Sequence, residues 1–440
     1  MRASERGIAL IVVLWIVTVM GTFTMLFSRE SRLAVKINKN LNDALQAEML
    51  AEAGVYRAVA ELIDDYELTT FDSLNETWSN SADAFFDATL GDGVYRVEHP
   101  DFSTPGSTAY GCVDECSKLN INTATRDMIL ALPYATEELA DAILDWRDEN
   151  DEQRTFGAEI DYYQSLEEPY QPKNGQFDTL GELMLVRGVS VEVLYGEDIN
   201  SNGLLDLNEN DGESSFPIDD GNDELNLGWI HYLTVYSYEK NESGDGLSRI
   251  NINSANEDEM KEELSDVLSD EEINQIIQGR DGNEYTRIGD LISRQQNNNN
   301  GGGRNNNNNQ RILSKEKMRD VADRITTTDD EKLFGLVNLN TAPREVLKCF
   351  FPQNEEIVET IIEYRESSDG PLESLGELLD VQGVSEQQFA RMTEIACTKS
   401  SVFSMRSTGY IQANNAYKQV FAIFDRNAEP PQFIYWKVVR

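Results

Sequence analysis

Histidine and positive charge are both scarce in this sequence. Only His99 and His231 occur among 440 residues, and neither stands beside a recognisable nucleophile. The P-loop, G-x-S-x-G, H-E-x-x-H and G-x-G-x-x-G motifs are also missing. Lysine and arginine number 37 against 79 acidic residues, so the net charge is −42. A negative field of this size repels nucleic acid and attracts divalent cations, and we expect no enzyme and no catalytic residues.

Cysteine is limited to Cys112, Cys116, Cys349 and Cys397. An even number permits disulfides, and four cysteines allow three pairings. The close spacing of Cys112 and Cys116 would also suit a metal pair, and buried free thiols are a further alternative. The sequence leaves these possibilities open.

Long hydrophobic runs are limited to one, from Ile8 to Phe27, which contains no charged residue. As a helix this run is about 30 Å long, which matches the hydrocarbon core of a bilayer. The remaining chain is mostly polar. We therefore expect one membrane-spanning helix that carries a large body on one side of the membrane.

The leader before this run is short, charged and ends in Gly7, and the apolar run begins at once with Ile8. This arrangement resembles the type IV prepilin signal, which a prepilin peptidase cuts on the cytoplasmic side, between Gly7 and Ile8. A secretory signal peptide has a shorter apolar region and a small-residue cleavage site. A plain signal anchor remains the other alternative.

Val12 occupies the fifth mature position, where pilins and most pseudopilins carry glutamate. The minor pseudopilin K of type II secretion is the exception that lacks this glutamate.

The basic residues around the apolar run and the prepilin resemblance predict opposite orientations in the membrane. Arg2 and Arg6 precede the run, and four basic residues follow it by residue 39. A bare count of these charges would put the body in the cytoplasm, whereas the prepilin resemblance puts it in the periplasm.

Apolar residues at three- and four-residue steps predict that the helix continues to about Tyr66 and packs one apolar stripe on a sheet. That stripe comprises Leu45, Met49, Ala53, Tyr56, Ala60 and Ile63. Alternating patterns predict strands at Gly91–His99, Val402–Gln412, Ala416–Asp425 and Gln432–Val439. The predicted fold class is α+β: a long N-terminal helix and a pilin-like antiparallel sheet with a large helical insertion from Leu119 to about Lys399. Two independent domains in series are the alternative.

The insertion contains an internal repeat. Leu119–Ala124 reads LNINTA, Ile250–Ala255 reads ININSA and Val337–Ala342 reads VNLNTA. After each segment comes a helix-like run that ends in arginine, and then a Gly-acid-Leu step; the positions are Arg147, Arg280 and Arg365, then Gly181, Gly289 and Gly376. Each copy is interpreted as a small SAM-like or helix-hairpin-helix-like unit. The second copy runs into an Asn-rich tract, 297–310, that is typical of a disordered loop.

The repeat divides the chain into predicted segments. They are 1–7 (leader), 8–27 (transmembrane helix), 28–118 (pilin-like helix and first strands), 119–248, 249–335 and 336–399 (three helical repeats), and 400–440 (last strands of the sheet). Helix-hairpin-helix units also occur in DNA-binding proteins, where a glycine-rich hairpin and basic residues approach phosphate. The three hairpins here lack those glycines and are acidic, which favours protein packing over DNA binding.

An acidic segment between the first two copies matches the calcium-loop pattern D-x-[DN]-x-[DN]-G-x5-E. Its predicted metal ligands are Asp198, Asn200, Asn202, the carbonyl of Leu204, Asp206 and Glu209. Gly203 would supply the sharp turn, and Leu205 would face inward. Calcium prefers six to eight oxygen ligands, so this spacing predicts a structural calcium ion. Asp211, Asp219, Asp220 and Asp223 could complete the site or form a second one, and a solvated acidic loop is the alternative.

Taken together, the chain resembles the minor pseudopilin K family of type II secretion, the general secretion pathway protein GspK family. The resemblance rests on Gly7–Ile8, Val12, the LNINTA-type segments and the terminal FDRNAEPPQFIYWKV run. It implies calcium binding, N-terminal methylation and a single-pass inner-membrane protein with a periplasmic body. Its implied place is the pseudopilus tip, with minor pseudopilins I and J as partners, in a role that starts assembly and supports export of folded proteins. Three helical units depart from the two of the family.

The alternatives are a membrane-anchored DNA-uptake receptor of the helix-hairpin-helix type and a non-pilus periplasmic scaffold. Basic, glycine-rich hairpins would have favoured the receptor. An uncleaved leader would favour the scaffold. We expect the partners to be the other minor pseudopilins, the prepilin peptidase and the inner membrane, and no nucleic acid.

Overall fold

The computed structural model describes residues 3–102, 107–201, 203–212, 214–217, 219, 221–280, 284–293 and 311–439. Side chains are described from residue 9 onward and exclude that of Ser293. The predicted calcium ligand Asn202, the neighbouring Asp220 and the Asn-rich tract 297–310 lie outside the described residues.

The described helices are α1 Ala3–Leu68, α2 Ala82–Phe85, α3 Arg126–Leu130, α4 Glu137–Arg147, α5 Ile160–Gln164, α6 Val191–Tyr195, α7 Glu257–Leu264, α8 Asp270–Arg280, α9 Asp290–Ser293, α10 Lys315–Val321, α11 Arg344–Phe350, α12 Glu355–Glu366 and α13 Glu386–Ile395. The described strands are β1 Ala88–Leu90, β2 Gly93–Val97, β3 His99–Pro100, β4 Thr108–Ala109, β5 Val113–Asp114, β6 Leu119–Asn120, β7 Leu233–Thr234, β8 Tyr238–Lys240, β9 Ile250–Asn251, β10 Ile325–Thr326, β11 Lys332–Phe334, β12 Val337–Asn338, β13 Ala396–Cys397, β14 Val402–Ile411, β15 Ala416–Asp425 and β16 Gln432–Val439.

Helix α1 is continuous over 66 residues and is therefore about 100 Å long. Within the described residues, one helix is long and apolar enough to cross a membrane, judged by length and composition, and it is α1. Its apolar first part stands clear of the body, since the residues from Leu10 to Phe27 bury little of their surface. Only the last part of the helix packs on the sheet.

The main sheet is antiparallel, with the strand order β1-β2-β14-β15-β16 and with β5 as a second partner of β14. β14 and β15 pair over ten residues each, from Val402 with Asp425 to Ile411 with Ala416. Strands from both sides of the helical region thus share one sheet. This topology confirms the predicted insertion, and the alternative of two domains in series is wrong.

Helix α1 packs on this sheet through small residues. The side chains of Ala47, Ala51, Val55, Ala58 and Leu62 are buried, and most lie in a core with Phe403, Met405 and Ala422. The backbones approach closely, because a Cβ atom on Gly409 would lie 2.1 Å from the carbonyl oxygen of Ala47. Only glycine fits such a contact.

The predicted sheet-facing stripe of α1 was wrong. Leu45, Met49 and Tyr56 expose 50%, 69% and 58% of their surface, and Ile63 is also exposed. These residues lie on a different face of the helix from Ala51 and Ala58. The buried face is narrow and rich in alanine and glycine, so the larger side chains that dominated the sequence pattern are on the outer face.

Each helical unit is closed by a short parallel pair of strands. β6 pairs with β7, β9 with β10, and β12 with β13, so the LNINTA-type segment of each copy meets the end of its own unit. Buried side chains from all three units form one hydrophobic core that extends from Leu119 to Ala396. This insertion core is separate from the core between α1 and the sheet.

The repeated asparagines and arginines have the same contacts in all three units. The side-chain amide of the second asparagine in each segment makes two hydrogen bonds to the backbone of one residue before the Gly-acid-Leu step. In the third unit, Asn340 donates to the carbonyl of Leu372 and accepts from its backbone N–H, both at 2.9 Å. Equivalent pairs are Asn122 with Phe177 and Asn253 with Tyr285. The arginine at the end of each helix donates to two carbonyl oxygens of its own segment. These arginines therefore stabilise the unit and do not face a phosphate.

Candidate metal centre

The predicted calcium loop starts directly after α6, and its ends are held together. The backbone N–H of Glu197 donates to the carbonyl of Asn226 at 2.9 Å. In return, the Glu197 carboxylate accepts from the backbone N–H of Asn226 at 3.0 Å and from its side-chain amide at 2.9 Å. Gly196 also forms a β-bridge with Leu227. The acidic segment between these residues is therefore a closed loop on a fixed base.

Asp198, the first of the predicted ligands, is fully buried. Its carboxylate accepts from the backbone N–H of Gly203 at 2.7 Å and lies 3.0 Å from the Nε2 atom of His231. Gly203 has φ = +73°, and a Cβ atom there would lie 2.1 Å from Pro100. The tight turn thus needs glycine, for its positive φ and for the lack of space.

Glu209 is also buried, with 1% of its surface exposed. One carboxylate oxygen accepts from the backbone N–H of Asp206 at 3.1 Å. The other oxygen, Oε1, is buried and has no hydrogen-bond partner among the described residues. Burial, together with the negative charges of Asp198 and Asp206, raises the pKa of Glu209 to about 7. The charges of Asp198 and Asp206 therefore act on Glu209, and one oxygen of Glu209 is buried without a hydrogen-bond partner among the described residues.

The other predicted ligands lie around the same loop. The side-chain amide of Asn200 donates to the carboxylate of Asp206 at 2.8 Å. Leu204 and Leu205 are both half-buried, so the inward position predicted for Leu205 is only partly reached. Asn202 lies outside the described residues.

This donor set fits calcium. It consists of carboxylate and amide oxygens at loop spacing, which is what a hard cation prefers, and the orphaned Oε1 atom of Glu209 is a buried acceptor that a cation would satisfy. A buried, unpaired carboxylate oxygen is costly, and a bound cation removes that cost.

The following acidic residues are hydrogen-bonded within the loop. The Asp219 carboxylate accepts from the backbone N–H groups of Asp211, Gly212 and Gly221 at 2.8–3.0 Å. Asp223 accepts from the side-chain amide of Asn210 at 2.7 Å. Asp220 lies outside the described residues. A contribution of these residues to a second site stays a prediction.

One contact of the site was missed from the sequence. His231 approaches Asp198 from well outside the motif, and no local signal marks that contact.

A second carboxylate group, Asp65, Asp72 and Glu76, was also missed. It lies at the end of α1 with its oxygen atoms close together. It already has a cation, because the buried Arg426 guanidinium donates to both oxygens of Asp72 at 2.7 Å and to Asp65 at 3.3 Å. We assign this group a structural role.

The predicted processing site, Gly7 and Ile8, lies within the described backbone of α1, while the side chains of both residues are outside the described part. Cleavage between them stays a prediction.

The comparisons with known proteins point to one family. Residues 118–195 match the family model of type II secretion system protein K, first domain. The curated type II secretion system protein K of Aeromonas hydrophila is 30% identical over 204 residues, which cover 43% of this chain and 60% of that protein. The match thus spans about three fifths of the relative's length.

A solved structure, that of the GspK-GspI-GspJ complex from the type 2 secretion system of enterotoxigenic Escherichia coli, is also similar. The match covers 93% of this chain and 99% of that chain, with 11% identity and a TM-score of 0.43. At this score the similarity carries no functional argument. The family model and the curated relative agree with the resemblance stated from the sequence: residues 118–195 are similar to the first domain of type II secretion system protein K.

Proposed function

We propose that this protein is a minor pseudopilin at the tip of the type II secretion pseudopilus. The observation that carries the proposal is the architecture of α1: one unbroken helix joins a bilayer-length apolar run to the face of an antiparallel sheet. Such a helix anchors the body in the membrane before assembly. It also gives the assembled fibre a helical core.

The outer face of α1 supports packing against other subunits. Leu41, Leu45, Met49 and Tyr56 are exposed along this face, beyond the bilayer-length run. An exposed apolar stripe on a soluble surface marks an interaction site. The partners that we propose are the other minor pseudopilins of the I and J types, which the solved complex named above contains together with its own GspK.

The insertion supports a place at the tip. It extends from Leu119 to Ala396 with its own hydrophobic core, and it also contacts the sheet face that α1 leaves free, through Tyr238, Val402 and Ile423. A body of this size on the sheet would block the stacking of another subunit above it. In this role the protein would start assembly of the pseudopilus and support export of folded proteins.

We place the body in the periplasm and the leader in the cytoplasm. The positive charges after the apolar run oppose this orientation, since their count alone favours a cytoplasmic body. They would then lie at the membrane interface, where lysine and arginine side chains are stable beside lipid head groups.

We also propose that the acidic loop binds one structural calcium ion. Asp198, Asn200, Asn202, Asp206 and Glu209 would supply side-chain oxygens, and Leu204 its carbonyl. When bound, the ion supplies positive charge that neutralises the crowded carboxylates and orders the loop. The residues of this chain fix the loop base through Glu197 and Asn226 and make the tight turn at Gly203.

The first experiment is the N-terminal mass of the membrane-extracted protein, with and without a co-expressed prepilin peptidase. A mature chain that starts at Ile8 only when the peptidase is active is the expected result. Gly7→Leu is the matched variant, and it should keep Met1–Gly7 and lose secretion. A chain that retains the leader beside an active peptidase would overturn the pseudopilin proposal and favour a signal-anchored scaffold.

A further inference from the structure

The insertion begins and ends at two neighbouring cysteines. Cys116 lies in a short 3-10 turn, Glu115–Ser117, directly before β6, and Cys397 is the last residue of β13. The two thiols lie close enough for each to influence the pKa of the other. The Cys116 thiol also lies 3.5 Å from the carbonyl oxygen of Tyr238. Both cysteines are free in the structure and fully or almost fully buried.

One buried carboxylate holds both cysteine-bearing segments in place. Asp114 accepts from the backbone N–H of Cys116 at 2.7 Å with one oxygen. With its other oxygen it accepts from the side chains of Asn338 at 2.9 Å and Thr341 at 2.6 Å. Asn338 is the residue of β12 that pairs in register with Cys397. The backbones of the two cysteine-bearing segments are therefore held near each other by the fold.

The other two cysteines lie in different places. Cys112 is in the core between α1 and the sheet, whereas Cys349 is in the insertion core, where its thiol donates to the carbonyl of Glu345 at 3.3 Å. Any pairing that joins Cys112 to Cys349 would have to cross from one core to the other. Of the pairings open to four cysteines, only Cys116 with Cys397 is supported by the proximity of the two residues in the structure.

We propose that Cys116 and Cys397 form a disulfide that closes the base of the insertion, with Cys112 and Cys349 left as buried thiols. The inference rests on the proposed periplasmic body, since disulfides form in oxidising compartments. The two thiols lose two protons and two electrons as the S–S bond forms. A disulfide-carrying oxidoreductase accepts them and is reduced to its dithiol.

The two thiols are oxidised while the chain folds. Burial raises the pKa of the Cys397 thiol well above its usual value, so the folded protein holds little of the reactive thiolate. Exchange with the oxidant therefore takes place before the two segments are covered. Once formed, the bond links the entry and exit of the whole insertion, and links that close long loops restrict the unfolded chain most.

The test is peptide mapping under non-reducing conditions. Full-length protein is extracted from membranes after an acid quench and unfolded with an alkylating reagent. We expect a peptide of Cys116 linked to a peptide of Cys397, and alkylated Cys112 and Cys349. Reduction should lower the Tm of the detergent-solubilised protein by about 5–10 °C.

A matched pair of double variants separates the bond from the packing. Cys112→Ala with Cys349→Ala should retain the linked peptide and the drop in Tm on reduction. Cys116→Ala with Cys397→Ala should lose both, so that its Tm no longer depends on the reductant. A linked peptide of any other pairing would overturn the proposal.

Protease treatment of spheroplasts distinguishes failure of the inference from failure of the proposed location. If the body is digested from outside and Cys116 and Cys397 are still alkylated, the disulfide is wrong while the periplasmic location stands. If the body is protected, the location is wrong. Refolding of the reduced chain with oxidised glutathione then decides on the pair, and a refolded chain without the linked peptide also contradicts it.

Discussion

At the scale of single residues, the buried charges of this protein stabilise its fold. Arg426 is almost fully buried and joins the end of α1 to the sheet through Asp72 and Asp65. Glu76 lies beside them with one carboxylate oxygen bound to the backbone N–H of Ser73 and to the indole N–H of Trp78, both at 2.8 Å. Its other oxygen is buried without a partner among the described residues. Arg426 therefore pairs with two carboxylates, Asp72 and Asp65, and Glu76 lies beside that group.

Glu76 makes stability depend on pH. Burial, with a further contribution from the charge of Asp65, raises the pKa of Glu76 to about 8. A carboxyl whose pKa is raised by folding favours the folded state fully below its unfolded pKa of about 4.3, and this contribution is lost as the pH rises through 8. We therefore expect Glu76→Gln to raise the Tm at pH 8–9 relative to the parent protein, with a smaller difference near pH 5.

The measurement is a series of thermal melts of the detergent-solubilised protein between pH 5 and 9, with Glu168→Gln as the control. Glu168 is exposed, and its replacement should leave the profile of Tm against pH unchanged. A parallel shift of the whole profile in Glu76→Gln would mean that Glu76 does not titrate in this range.

At the scale of elements, the sequence predicted the repeated helical units and the alternating strands, and it missed the face of α1 that packs closely on the sheet. The three LNINTA-type segments predicted three helical units because the same asparagine and arginine contacts recur in each unit. Strands β14 to β16 were predicted to within a residue because their side chains alternate. The buried face of α1 was missed because it is built from alanines and Gly54, which carry little hydrophobic signal. The buried face is the one on which small side chains let the helix backbone approach the backbone of the sheet.

If the acidic loop binds calcium, removing its buried carboxylates should abolish the effect of calcium on stability. Asp198→Asn combined with Glu209→Gln would keep the shape of both side chains and remove two of the three central carboxylates. We expect calcium to raise the Tm of the parent protein, since a ligand that binds only the folded state stabilises it. The double variant should lose that rise. Its Tm without calcium should equal or exceed that of the parent, because the crowded charges are gone.

The readout is the Tm with excess calcium and with a chelator, with Glu168→Gln again as the control. The control should keep the full calcium-dependent rise. A double variant that is stabilised by calcium as much as the parent would exclude this loop as the site. An absence of any rise in the parent would contradict the calcium proposal itself.

At the scale of the whole molecule, the chain leaves the sheet after β5 and returns to it at β14. The bracketing strands allowed this insertion to be predicted from the sequence. The proximity of Cys116 to Cys397 and the approach of His231 to Asp198 could not be predicted, because each joins residues that are distant in the chain. One face of the sheet is covered by α1 and the other contacts the insertion, and the outer face of α1 remains exposed.

That outer face provides the last prediction. Leu45→Glu combined with Met49→Glu places two charges on the exposed stripe of α1, where both side chains are at least half exposed and outside the described cores. If the stripe packs against other subunits, the charges would have to be buried in that contact, which is costly without partners. We therefore expect the variant to keep the parent Tm, to co-purify poorly with the other minor pseudopilins and to secrete several-fold less substrate. Gln46→Glu is the matched control, since it adds charge on another exposed side of the same helix turn. It should retain both co-purification and secretion, and secretion at the parent level in the double variant would show that this stripe is not the assembly surface.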